Sequence, residues 1–343
     1  MYPLDQGVWG PISRIRHLRD ELARLADLEV VDGDRGRRRR ALIQYAFSGR
    51  LRSLDGIYVE NSSTLPSETD IAFLALARAL GIRVLTYVRD AQYLFDEYYV
   101  ASSVRRRIAR GLFLPSVSAM RLASWRVGYP SLGLARAVGD SSPNPLLLPP
   151  GSPPPVAVPP DPDARSLLFV GGMRVPAHGL DLLVRSVEAV RARGRDLRVI
   201  CVSRPGEGPP DPPEWMRVEH GSGPEITALL PEVVATVQPR LRTPYNDLAV
   251  PIKVMEYLSY GRPLVVTDCT EQARIVREAD CGMVVDDSVD GLATGIGQVL
   301  EADRATRERW SSNARMAAER HSWTERATDI VTLLAGRADP AGP

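Results

Sequence analysis

The stretch "SLLFVGGMRVPAHGLDLLVRSVEAVRARGRDLRVICVS", residues 166–203, holds one complete strand–helix–strand unit. It opens on the apolar run SLLFV (166–170), which ends at Gly171-Gly172 as a strand buried on both faces would. GLDLLVRSVEAVRARG then sets Leu180, Leu183, Val184, Val187 and Val190 on one helical face and stops at Gly194. LRVICVS (197–203) reads as the next strand, and the Pro/Gly-rich RPGEGPPDPP after it as a loop.

The alternation continues outward from this unit. MRVEHG and VVATVQP read as strands around the helical PEITALLPE. PLVVTD (263–268) and GMVVDD (282–287) extend the sheet, and two amphipathic helical stretches follow. Toward the N-terminus, LEVVD (28–32), DGIYVEN (55–61) and IRVLTYV (82–88) read as strands, and SETDIAFLALARALG as a helix capped by Ser67. PPGSPPPVAVPPDPD (149–163) is too rich in proline for a helix or a central strand and divides the chain near residue 155.

The expected fold class is therefore α/β, with two doubly wound Rossmann-like domains facing each other across a cleft and ligands at the carboxyl ends of the strands. The expected division is an N-terminal domain at 1–150, a linker at 151–163, a C-terminal domain at 164–321, a closing helix at 322–335 and a disordered tail at 336–343. A doubly wound domain opens on a strand, yet MYPLDQGVWGPISRIRHLRDELARL begins as a loop running into a helix. Two readings follow: the start lies downstream of the natural one, or Met1–Leu4 is the remnant of that strand.

Composition bounds the partners. The 343 residues are 44% hydrophobic and 25% charged, as in an ordinary globular protein, with room for two cores. Residues 1–150 carry 21 arginines against 15 acids, so the basic half invites an anionic partner. Two stretches concentrate that charge, RGRRRR (35–40) and SVRRRIARGLFLPSVSAMRLASW (103–125). The second mixes arginine with Ile108, Leu112, Phe113 and Leu114, the character of a helix lying on an anionic membrane. Neither interleaves aromatic residues at base-stacking spacing, which argues against nucleic acid. Cys201, Cys269 and Cys281 are widely spaced and sit in or beside apolar runs, so they read as reduced core thiols rather than disulfide or zinc ligands. No apolar run approaches a membrane span.

One detail points to a site. Of 43 basic residues only Lys253 is a lysine, in PIKVMEYLSYGRPLVVTD (251–268). An ammonium is a compact point charge that reaches a phosphate where a planar guanidinium does not fit. A surface ion pair with Glu256, three residues on, is the plainer reading.

This stretch, together with LLFVGGMRVPAHGLDLLVRSV, EADCGMVVD and HSWTERATDIVTLL in that order, resembles the donor-binding domain of GT-B-fold glycosyltransferases of the group 1 (family 4-like) type. LLLPPG (146–151) also resembles the family's approach to the interdomain linker. The resemblance covers 146–335 closely and 1–145 only in layout. It implies transfer of a sugar from a nucleotide-sugar donor, UDP- or GDP-linked, to a hydroxyl acceptor, with no metal and no further cofactor. It implies that Glu256 accepts hydrogen bonds from the ribose diol. Lys253, Arg174 and helix N-termini would stabilise the departing diphosphate, and Gly171 and Gly172 would let backbone approach it. His178 stands where the family carries a phosphate-binding lysine, and His220 and Gly221 where it holds the base. Asn246 and Asp247, with the N–H groups around them, would contact the donor. Two positions depart from the family: Leu248 replaces a glutamate and Gly172 a frequent arginine.

On the acceptor side the resemblance points to Gly10, in the loop GVWGP (7–11), and to Arg89 and Asp90 after the strand at 82–88, with Asp90 the candidate general base. A saccharide or lipid-linked acceptor, a cytoplasmic location and peripheral contact with the inner face of the membrane complete the expectation. Two rivals stand beside it. A non-catalytic relative is favoured by Leu248 and the absent opening strand, whereas an epimerase of the same fold needs acid–base groups that the sequence does not show.

Overall fold

The structure, a computed structural model, describes residues 9–61, 65–209 and 211–336. The chain forms two compact units, one of Met1–Gly151 with Trp323–Pro343, the other of Ser152–Ser322.

In the first unit the described elements are α1 (Trp9–Leu25), α2 (Arg35–Phe47), β1 (Gly56–Asn61), α3 (Glu68–Ala79), β2 (Arg83–Val88), α4 (Val104–Ala123), β3 (Arg126–Tyr129), α5 (Leu132–Ala137) and β4 (Leu146–Leu147). The four strands are parallel and lie in chain order, β1-β2-β3-β4. Ser67 caps α3 through a capping box with Asp70. On one face of the sheet Leu42 of α2, Phe73, Leu74 and Ala77 of α3 and Ala123 of α4 bury Val59 and Val84. On the other, Leu18 and Leu22 of α1 meet Leu85, Tyr87, Leu148 and the last helix, numbered α13 below.

Two expectations are corrected here. Residues 28–31 are irregular and Asp32 makes only an isolated bridge, so no strand forms there; Leu28 and Val31 instead line a cavity of about 170 Å³ with Leu18, Leu22, Ile57 and Phe73. Gly10 lies in the first turn of α1 instead of a loop, since Pro11 is tolerated where a helix has no N–H partner to lose. Met1–Leu4 and the tail from 337 onward lie outside the described residues.

The second unit contains β5 (Ser166–Val170), α6 (Leu180–Ala192), β6 (Arg198–Ser203), β7 (Met216–His220), α7 (Pro224–Leu229), β8 (Val233–Gln238), α8 (Pro244–Leu248), α9 (Ile252–Tyr260), β9 (Leu264–Thr267), α10 (Thr270–Ala279), β10 (Gly282–Val285), α11 (Val289–Glu301) and α12 (Arg304–Arg320). Its parallel strands run β10-β9-β8-β5-β6-β7. Helices α6 and α11 cover one face and α9, α10 and α12 the other. Cys201, Cys269 and Cys281 are buried free thiols. The proline-rich segment does not stand apart as a connector. Val156 N–H donates to the Ser259 carbonyl at 2.8 Å, Asp161 N–H donates to the Pro231 carbonyl at 2.8 Å, and Val156 and Val158 pack on the core. The division accordingly falls at Gly151/Ser152 and not near 155. Three helices, not two, follow β10, the last being α13 (Trp323–Ala335) of the first unit.

Candidate functional site

Strand order in the second unit reverses at β5, which has β6 on one side and β8 on the other. Loops leaving neighbouring strands in opposite directions open a crevice at such a point, beyond the carboxyl ends of the strands. The loop after β5 (171–179) and the segment after β8 (239–251) meet there.

The first loop is held by its own atoms. Gly171 N–H donates to the Val202 carbonyl at 3.0 Å. His178 Nδ1 lies 2.8 Å from the Gly172 carbonyl, and because a carbonyl only accepts, Nδ1 carries the hydrogen. Burial keeps the pKa of His178 below the usual histidine value. Through Nδ1 the ring braces the glycine turn from within the fold. Gly179 follows at φ +81°, and a β-carbon there would meet the Pro239 carbonyl, so only glycine lets the loop turn into α6 against the β8 segment.

Arg174 is exposed and donates to the Gly206 carbonyl at 2.9 Å. Beside it lies a residue that motif reading missed. Glu207, from the loop after β6, accepts the Met173 N–H at 3.2 Å and has Arg204 3.7 Å away. Its carboxylate thus occupies an N–H group of the glycine turn and sets a negative charge beside it. No spacing signal marks it, because it stands in an irregular Pro/Gly segment.

Asn246 is fully buried, and its side chain is spent on the fold. Its amide nitrogen donates to the Leu241 carbonyl at 2.7 Å and to the Ala177 carbonyl at 3.2 Å, and its oxygen accepts from Arg240. Asp247 accepts from Thr270 N–H at 2.9 Å and from Arg242 Nε at 3.2 Å. The N–H groups of Asn246, Asp247 and Ala249 close the α8 turn onto Thr243 and Tyr245. Both side chains assigned to donor contact therefore shape the loop, Asn246 because a buried amide must satisfy its own polar atoms and Asp247 through its bonds to Thr270 and Arg242.

Lys253 and Glu256 face each other on α9, Nζ to Oε2 2.7 Å, with Lys253 one-third exposed and Glu256 mostly covered. The next residue, Tyr257, is buried, and its hydroxyl takes the Val170 N–H at 2.7 Å. That bond docks α9 on the end of β5 beside Gly171 and Gly172. Motif reading missed Tyr257 as well, although an aromatic hydroxyl inside an apolar helix face needs a partner.

His220 and Gly221 stand farther along the same rim, at the end of edge strand β7, with His220 Nδ1 3.3 Å from the Ser203 carbonyl. In the first unit Arg89 and Asp90 directly follow β2, and Asp90 Oδ1 accepts the Gln92 N–H at 2.8 Å.

Two parallel α/β units, one with a crevice of this kind, define a GT-B fold. Residues 164–302 match the family described as "Glycosyl transferases group 1". The domain they form belongs to that family, and the protein is a glycosyltransferase. No curated protein sequence matches the chain. Among solved structures, a glycosyltransferase from Rickettsia africae ESF-5 is similar at 11% identity and TM-score 0.68, covering 98% of each chain. Sucrose-phosphate synthase from Thermosynechococcus elongatus is similar at 16% identity and TM-score 0.58, over 87% of this chain and 76% of that one. A UDP-forming α,α-trehalose-phosphate synthase from Burkholderia xenovorans, solved with glucose-6-phosphate, is similar at 13% identity and TM-score 0.57, over 94% and 84%.

Proposed function

We propose that the protein moves a sugar from a UDP- or GDP-sugar to a hydroxyl of a saccharide or lipid-linked acceptor, working in the cytoplasm at the inner face of a membrane. The observation that carries this reading is the Lys253–Glu256 pair at the start of α9, docked on the end of β5 where strand order reverses. Glu256 accepts from the two ribose hydroxyls, a geometry that one carboxylate satisfies with both oxygens. Lys253, released from Glu256 Oε2, turns to the diphosphate, where the first N–H groups of α9 add partial positive charge. Arg174 supplies a second cation beside the glycine turn. As the sugar–phosphate bond breaks, negative charge grows on the departing diphosphate, and these groups stabilise it once Lys253 has turned toward it. Asp90 handles the acceptor hydroxyl, as base or as orienting acceptor. Solved relatives named as UDP-forming or as sugar-phosphate synthases support the donor and acceptor classes. No described helix is long and apolar enough to cross a membrane, so the membrane contact proposed is peripheral.

The test is thermal-shift binding of UDP, GDP, ADP and TDP to the wild type, Glu256→Ala and Lys253→Ala. One nucleotide, UDP or GDP, should stabilise the wild type, and both variants should lose the shift. A folded wild type that binds none of the four would sink the reading.

A further inference from the structure

We propose that the outward face of α4 docks the protein on a bilayer containing anionic phospholipid. This sharpens the peripheral placement above and rests on that reading only in naming the inner leaflet.

Helix α4 is apolar on two sides. Phe113, Val117, Met120 and Ala123 are buried and pack inward. Val104, Ile108 and Leu112 recur every four residues on the other side and are 67%, 57% and 51% exposed, and Leu122 farther along is 82% exposed. A helix that covers a sheet normally turns a polar face to water, so an aliphatic stripe there needs a reason. The charges around it supply one. The helix carries five arginines and no acidic residue. Arg110 pairs with Asp96, and Arg106 and Arg121 are held by backbone carbonyls. Arg105 and Arg107 are exposed and form no ion pair among the described residues. At 3.6 residues per turn they fall on either side of Ile108. Guanidinium groups flanking an aliphatic stripe fit lipid phosphates above acyl chains. A nucleic acid would satisfy the arginines and leave the aliphatic groups without a partner.

The other basic run spends more of its charge within the fold. Arg35 lies 3.8 Å from Glu68 and Arg37 3.3 Å from Asp32. Arg38 is buried, bonded to the Gly33 carbonyl and 3.3 Å from Asp70. Three of the five arginines in 35–40 are thus engaged within the fold, whereas Arg105 and Arg107 on α4, like Arg39 and Arg40 on α2, form no ion pair among the described residues.

The test is co-sedimentation of the full chain with sucrose-loaded vesicles of phosphatidylcholine alone or with phosphatidylglycerol, at low and high salt. The wild type should bind the mixed vesicles at low salt and not the neutral ones. Ile108→Glu with Leu112→Glu, and separately Arg105→Glu with Arg107→Glu, should each weaken binding at least tenfold. Arg35→Gln with Arg37→Gln on α2, whose charges already have partners, should change it less than threefold. All six positions are exposed, and circular dichroism melts check that the variants fold. Absence of binding at low salt, or α4 variants that bind like the wild type, would overturn the proposal. So would a dimer in sedimentation equilibrium that the Ile108/Leu112 variant abolishes without vesicle binding, since a second copy would then cover the face. The vesicles carry no donor or acceptor, so failure here leaves the nucleotide-binding test untouched, and failure there leaves this one untouched.

Discussion

Tyr257 and Val170 are joined by a buried 2.7 Å hydrogen bond between a helix side chain and the last N–H of a strand. Glu256 precedes the tyrosine and Gly171 follows the valine, so this contact ties the part of α9 that carries Glu256 to the start of the glycine turn. Tyr257→Phe leaves a buried N–H without its partner, at a cost of about 1–3 kcal/mol. Urea denaturation should show that loss, and nucleotide affinity should fall as well. Unchanged affinity in a destabilised variant would mean that the bond serves stability alone.

Glu207 sets a carboxylate on the Met173 N–H, where donor phosphate would approach. Glu207→Gln keeps an acceptor oxygen and removes the charge. Calorimetric affinity for UDP or GDP should rise about three- to tenfold at low salt, with the gain shrinking as salt screens the repulsion. Weaker binding in the variant would instead give Glu207 a supporting role.

In the first unit Arg14 and Glu60 form a buried pair at 2.8 Å, and the guanidinium lies 3.9 Å above the Tyr87 ring. Removing either partner strands the other away from water. Arg14→Met or Glu60→Leu alone should cost about 3–5 kcal/mol, and the double variant should recover most of it. Additive losses in a double-mutant cycle would count against coupling.

His178 makes stability depend on pH. Burial lowers its folded pKa, so below the ordinary value near 6.5 the unfolded chain takes up a proton that the folded chain resists. Its contribution is therefore present above that value and is lost as pH falls toward the folded pKa. Denaturation midpoints of wild type and His178→Gln should converge or cross on acidification below about pH 6.5, the wild type having the steeper fall. Parallel profiles would exclude His178 as the titrating group.

Apolar runs carried the parallel strands of the second unit into plain view, because strands buried on both faces have little choice of residue. SLLFV, LRVICVS and VVATVQ needed no partner to be recognised. LEVVD has the same look and is not a strand, because its place depends on what lies beside β1 and not on its own residues. The ion pair of Lys253 and Glu256 was legible from their spacing. Asn246 was legible as polar but not as buried, since its partners Ala177 and Leu241 are brought to it only by the fold. Glu207 and Tyr257 escaped for the same reason: a loop carboxylate and an apolar-face tyrosine acquire meaning from the backbone groups they meet.

Helix α13 belongs to the first unit although residues 152–322 separate it from the rest of that unit. Ala327, Ile330 and Leu333 cover Leu18, Leu85 and Tyr87, and Leu334 packs against Gly56. During synthesis on a ribosome, the first unit emerges first yet lacks this cover until the second has been made. The first unit must therefore keep an apolar sheet face waiting until that last helix is available. A shortened chain ending before Trp323 would inherit that uncovered face permanently, which makes late truncation a route to aggregation.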